Sequence, residues 1–120
     1  FQLWHLQDSL GKKDLNTSLE ITQSLLENGT QIPQILIRLV YLYQQMLWKK
    51  MGRSKPVGYT GINKIITSNL NRYDGSYTHS ELIHLLQDLR KMDVLSKSTS
   101  LDEEALLQPF IVKICRDQYV

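Results

Sequence analysis

Leucine and isoleucine recur at intervals of three and four along most of this chain, and short polar stretches holding glycine, asparagine or proline interrupt them. That spacing places side chains on one face of an α-helix. The first stretch, Phe1–Leu10, carries Leu3, Leu6 and Leu10, with Gly11 read as its stop. Asp14 is placed to cap a second helix through its carboxylate. Leu15, Leu19, Thr22 and Leu26 then form a stripe flanked by Ile21 and Leu25, and Asn28-Gly29 closes the helix in a left-handed turn. These two segments are expected to form a short antiparallel hairpin.

Thr30 reads as the opening of a third helix. Pro33 is tolerated there because first-turn amides have no intrahelical partner. Ile32, Ile35, Leu36, Leu39, Val40, Tyr43, Met46, Leu47 and Met51 make this the longest and most apolar element, so it is expected at the centre of the core. Lys49 and Lys50 lie in its last turn, where cations face the negative end of the helix dipole. The stretch Arg53–Gly61, with Pro56, Gly58 and Gly61, breaks any period and reads as a linker. A short fourth helix follows with Ile62, Ile65, Ile66 and Leu70 on one side, then a turn at Tyr73-Asp74-Gly75-Ser76. Thr78 and Glu81 have the spacing of a capping box. Behind them Leu82, Leu85, Leu86, Leu89 and Met92 predict a helix to about Leu95. Ser100 and Glu103 form a second such box. Leu106, Phe110 and Ile114, with Leu107, Ile111 and Cys115, then fill the buried side of the last helix. Pro109 lies inside that pattern and predicts a kink or a late start. The expected fold is all-α: one compact domain of five to six helices spanning residues 1–120.

The chain begins at Phe1 rather than Met, as a fragment of a larger protein or a processed chain would. The apolar stretch Ile35–Trp48 contains Arg38 and two glutamines, so no membrane span is expected. The single cysteine, Cys115, excludes an internal disulfide framework, and a reducing, cytoplasmic setting fits. No phosphate-cradling glycine loop is present. His5, His79 and His84 are too scattered for a metal site. His84 and Asp88, four apart on one helix, read as a surface pair rather than an acid–base couple. Cys115 falls on an apolar stripe and reads as a small buried hydrophobe. No set of residues forms a catalytic arrangement, and neither a cofactor nor a small-molecule substrate is expected.

Charge is unevenly distributed. Net charge is +2, yet no Asp or Glu occurs from Asn28 to Tyr73, a stretch that carries Arg38, Lys49, Lys50, Arg53, Lys55, Lys64 and Arg72. Lys49, Lys50, Arg53 and Lys55 are therefore the candidate contacts to DNA or an acidic partner. Trp48, Tyr59 and Tyr73 lie near them in sequence, a mixture suited to base stacking with phosphate contact, but no RNA- or DNA-binding motif frames them and core and loop packing is the favoured reading of these aromatics.

The succession Phe1–Gly11, Asp14-Leu15 and Leu19–Gly29, the run Ile35–Tyr41, the segment Leu89–Ser98 and the closing Leu106–Cys115 resembles the C-terminal, or collar, domain of the delta subunit of the bacterial DNA polymerase III clamp loader. Asp93 followed by Lys97 is its most specific part. The likeness departs in Arg53–Ser76 and at Pro109. It implies a clamp-loader subunit of the AAA+ family that does not itself bind ATP and belongs to the DNA polymerase III holoenzyme. Its C-terminal domain would pack with those of its neighbours into a collar that holds the pentamer together. Its clamp-opening element would lie in an N-terminal domain outside this chain. A collar domain must present apolar side chains to its neighbours. The candidates are Ile37, Tyr41 and Leu42 on the third helix, and Val94. Two other readings share the composition: a basic helical nucleic-acid-binding domain, and a helical adaptor of another complex.

Overall fold

The computed structural model describes residues 1–53, 61–98 and 102–119. Among these there are six helices and no strand: α1 (Leu3–Gly11), α2 (Leu15–Glu27), α3 (Ile32–Lys50), α4 (Lys64–Asp74), α5 (His79–Ser98) and α6 (Glu103–Cys115). The second capping box at Ser100 and Glu103, most of the linker, Lys55 and Tyr59 lie outside the residues or side chains described. α3 occupies the centre, packing against α1, α4 and most extensively α5, while α2 bridges α1 and α6.

Local signals set several boundaries. Asp14 Oδ1 accepts from the Thr17 amide at 3.2 Å, capping α2. Asn63 does the same for α4, accepting from the Ile66 amide at 2.8 Å. The capping box at the start of α5 closes in both directions: the Glu81 amide donates to Thr78 Oγ1 at 3.0 Å and the Thr78 amide to Glu81 Oε1 at 3.2 Å. Gly29, at φ 89°, takes the left-handed turn after α2.

Other expectations are corrected by packing. α3 starts at Ile32 after Gln31 rather than at Thr30, with Pro33 inside its first turn. On α2 the fully buried residues are Ser18, Ile21, Thr22 and Leu25, while Leu15, Leu19 and Leu26 are only partly covered. The face is turned because small hydroxyl residues allow α1 and α2 to approach. Ser9 and Ser18 hydroxyls meet at 2.8 Å and Thr22 Oγ1 donates to the Ser18 carbonyl at 2.8 Å, so the polar atoms buried there are satisfied. Met51 and Ile65, assigned to apolar stripes, stand 45% and 48% exposed. α4 continues through Tyr73 and Asp74, which read as a turn, because the Tyr73 ring is wholly buried. α5 runs three residues past Leu95. α6 continues through Pro109 without a late start; the proline ring is exposed and disturbs no core contact.

α1 ends at Gly11, one residue later than read, but the left-handed step is made by Lys13, at φ 55°, rather than by the glycine. A Cβ on Gly11 would lie 2.7 Å from the Tyr73 ring, so this glycine gives α4 its seat against α1. The Tyr73 hydroxyl donates to Asp8 Oδ1 at 2.5 Å and Lys12 donates to Oδ2 at 2.8 Å. Burial pushes the Asp8 carboxyl up, but the hydrogen bonds from Lys12 and Tyr73 together outweigh it and leave the group below its ordinary value. Burial and the neighbouring Asp8 push the Tyr73 phenol upward, so it remains a neutral donor.

Lys13 forms a second junction. Its side chain is 9% exposed and donates to Glu81 Oε2 at 2.7 Å, with Glu81 4% exposed; it also pairs with Asp117 and lies 4.3 Å above the Tyr77 ring. The Tyr77 hydroxyl donates to the Leu10 carbonyl at 2.5 Å and meets the Tyr43 hydroxyl at 3.0 Å. One buried cation thus joins the α1–α2 turn, the start of α5 and the C-terminal segment. That segment is held again by Tyr119, whose hydroxyl donates to Asp88 at 2.5 Å. Asp88 is therefore engaged with Tyr119, not with His84.

Candidate functional site

Two surface features bring together the residues to which the sequence assigned a role. The larger is an open groove of about 570 Å³ between α3 and α5. α3 contributes Pro33, Leu36, Ile37, Val40 and Leu47 to it, and α5 contributes Leu86 and Leu89, with Arg90, Asp93 and Lys97 on its lip. The spacing explains this: 33, 36, 37 and 40 form one face of a helix, as do 86, 89, 90, 93 and 97. Ile37 is 44% exposed and lines the groove; Val94 is 60% exposed and stands on the ridge Arg90–Val94–Lys97 beside it. Lys97 and Asp93 form an i,i+4 ion pair at 3.0 Å on the same lip. Leu95 is also exposed, at 42%, but does not line the groove.

The other two interface candidates stand differently. Leu42 is wholly buried in the core, packed on the face of α3 opposite Ile37 in register, and cannot meet another chain without unfolding this one. The error is one of phase: α3 is apolar on most of its circumference, so its stripe does not say which side faces inward. Tyr41 is half-buried, and its ring fills the space beside Gly61 so closely that a Cβ there would lie 2.0 Å from it.

The second feature is a notch of about 430 Å³ where the last turn of α3 meets α4. Gln45, Trp48, Lys49, Arg53, Thr67 and Asn71 line it. Lys49 and Arg53 are exposed, but Lys50 is not a free cation. Its ammonium donates to the Asp74 carbonyl at 3.1 Å and lies 3.1 Å from the Asp74 carboxylate, tying α3 to the end of α4. Trp48 is half-buried and borders both the notch and the groove.

Among the described residues no three His, Cys, Asp or Glu side chains gather as a metal site would require, and no helix is long and apolar enough to cross a membrane. Cys115 is half-buried, and burial pushes its thiol up to about 11, despite a hydrogen bond with Ser18 and the nearby charge of Lys13. From an ordinary value of 9.0, that leaves roughly a hundredfold less thiolate near neutrality. Alkylation of the folded chain by iodoacetamide at pH 8 is accordingly expected to be about a hundredfold slower than after unfolding in urea. Equal rates would show an activated or freely accessible thiol.

Six helices among the described residues, with α3 at their centre and an open apolar groove on that helix, define an all-helical packing domain. Residues 2–114, almost the whole length, match the family described as DNA polymerase III delta subunit, C-terminal domain, and the chain belongs to that family. No curated protein and no solved structure matches it.

Proposed function

We propose that this chain serves DNA replication as the part of a clamp-loader subunit that docks onto neighbouring subunits and holds the loader together. Family membership supports a place in the clamp loader. The α3–α5 groove is the observation that carries the docking role. It offers continuous apolar surface on the element that also organises the core, and Ile37 in its lining and Val94 on the neighbouring ridge of α5 are exposed. A side chain of that size contributes roughly 1.5–3 kcal/mol when buried against a partner. Arg90, Asp93 and Lys97 border the apolar floor along its α5 side, as polar residues do at the rim of an interface. The 120 residues act on this reading as one domain of a longer cytoplasmic protein.

Co-purification tests it. Bait carrying this chain is expected to recover the ATP-binding clamp-loader subunits from a bacterial extract. Ile37→Asp with Val94→Asp is expected to reduce recovery at least tenfold, because a carboxylate would enter an apolar contact without a partner. Both positions are exposed, so stability is expected to change by no more than about 0.5 kcal/mol each. Full recovery by the double variant would remove the groove from the interface.

A further inference from the structure

The α3–α5 groove restricts the shape of whatever fills it. Its lining runs from Pro33 to Trp48 on α3 and from Leu86 to Lys97 on α5, nearly all of it helix interior. The backbone N–H and C=O groups of those turns are spent on bonds within their own helices. An extended segment laid in the groove would find no backbone partner on either wall, and the amides it turned to the floor would lose water without replacement. A helix satisfies its own backbone and offers only side chains. Along α3 the groove is about 21 Å long at 1.5 Å per residue, room for about four helical turns. Charge restricts the occupant further. The α3 wall is uncharged, with Gln44 and the Trp48 indole as its polar groups, whereas the α5 wall carries Arg90, Asp93 and Lys97. Asp93 and Lys97 neutralise each other at 3.0 Å. Arg90 is exposed and pairs with no carboxylate among the described residues, which leaves that wall with one unanswered positive charge.

We propose, on the docking reading above, that the occupant is an amphipathic helix of a neighbouring clamp-loader subunit whose α5-facing flank carries a carboxylate that pairs with Arg90. Its apolar anchors, spaced i, i+3 or i+4 and i+7, lie on Leu36, Ile37, Val40 and Leu89. That floor accepts the apolar face of any helix, so it supplies affinity without choosing a partner. Arg90 makes the choice. Its planar guanidinium meets a carboxylate with two parallel hydrogen bonds, which fixes the register of the incoming helix as well as its identity. A helix with a basic flank meets like charge at the same point and is rejected.

The test measures the affinity of the full-length protein carrying this chain for the ATP-binding clamp-loader subunits. Arg90→Glu is expected to weaken it about threefold to thirtyfold, because reversal replaces the attraction of an exposed pair with a repulsion of similar size. Lys91→Glu makes the same change in net charge on the same helix, but Lys91 does not line the groove, so no loss is expected. Both residues are exposed, so loss of fold does not obscure the comparison. A photoreactive residue at Ile37 identifies the occupant: mapping of the cross-linked peptide is expected to return a helix with Asp or Glu on one flank. Reversing that acidic residue to Arg is expected to restore binding to the Arg90→Glu variant. Equal losses from Arg90→Glu and Lys91→Glu overturn the proposal, as does a cross-link to a loop, an extended segment or a helix with a basic flank. No loss from Arg90→Glu, where Ile37→Asp with Val94→Asp still weakens binding, overturns it too and leaves the docking reading standing. No loss from the Ile37/Val94 double variant removes the docking reading itself, and the proposal with it.

Discussion

Replacing Lys13 with Met is expected to destabilise the chain by about 3–5 kcal/mol, the cost of removing one partner from a buried ion pair. The methionine keeps most of the aliphatic stem, so the loss is that of the charge. Glu81 is 4% exposed and would keep a carboxylate in the interior with only the Thr78 amide of its capping box as donor. The bond to Asp117 contributes little to the difference, since that carboxylate is 75% exposed and solvent screens it. The contact with the Tyr77 ring adds to the loss, because a cation held over a ring away from water is worth up to about 2 kcal/mol. Lys13→Met combined with Glu81→Gln is expected to recover part of the stability, since the stranded charge goes with its partner. Urea unfolding followed by circular dichroism measures both. A single-variant loss below about 1 kcal/mol would mean that water reaches the pair and that the junction does not hold α5 to the α1–α2 turn.

Gly11→Ala is the second large effect, and helix propensity predicts its sign wrongly. Gly11 is the last residue of α1, where alanine ordinarily gains up to about 1 kcal/mol over glycine. Here the new methyl would meet three atoms of the Tyr73 ring at 2.7 to 2.8 Å, far inside the contact distance of carbon atoms, about 3.5–4.0 Å. The ring cannot swing away easily: it is fully buried and its hydroxyl is fixed on Asp8. Overpacking of this kind costs about 1–3 kcal/mol and outweighs the helical gain, so a net loss is expected. Gly75→Ala provides the contrast. Gly75 has helical angles and nothing within 4 Å of its Cβ position, so alanine there is expected to be neutral or to stabilise by about 0.4–1 kcal/mol. Stabilisation by Gly11→Ala would show that α4 sits further from α1 than described.

The same two residues mark where the sequence could be read and where it could not. Caps are local, and Asp14 and the Thr78–Glu81 pair could be placed because donor and acceptor lie three residues apart. Gly11 also looked like a local signal, a helix stop. Its actual partner is Tyr73, sixty-two positions away, and no spacing rule connects them. Nothing local marks Lys13 either, because its partner Glu81 is sixty-eight positions away.

The groove was legible in part for a related reason. α5 has one apolar stripe, so Val94 beside it could be placed outside the core, and it is exposed. α3 is apolar on most sides, so periodicity located the helix but not its orientation. Ile37 is exposed, while Leu42, five residues on, belongs to the core. The basic stretch was visible as charge, but only the fold separates Lys50, held by Asp74, from Lys49 and Arg53 in the notch. Lys55, the fourth candidate, lies outside the described residues.

The most direct measurement is photo-cross-linking within the assembled clamp loader. A photoreactive phenylalanine analogue is placed at Ile37, at Val94 and, as a control, at the exposed Glu20 on α2. If the groove is the docking surface, positions 37 and 94 will cross-link to a neighbouring clamp-loader subunit and position 20 will not. Cross-linking from position 20 with none from 37 or 94 would contradict the account and move the interface to the opposite face.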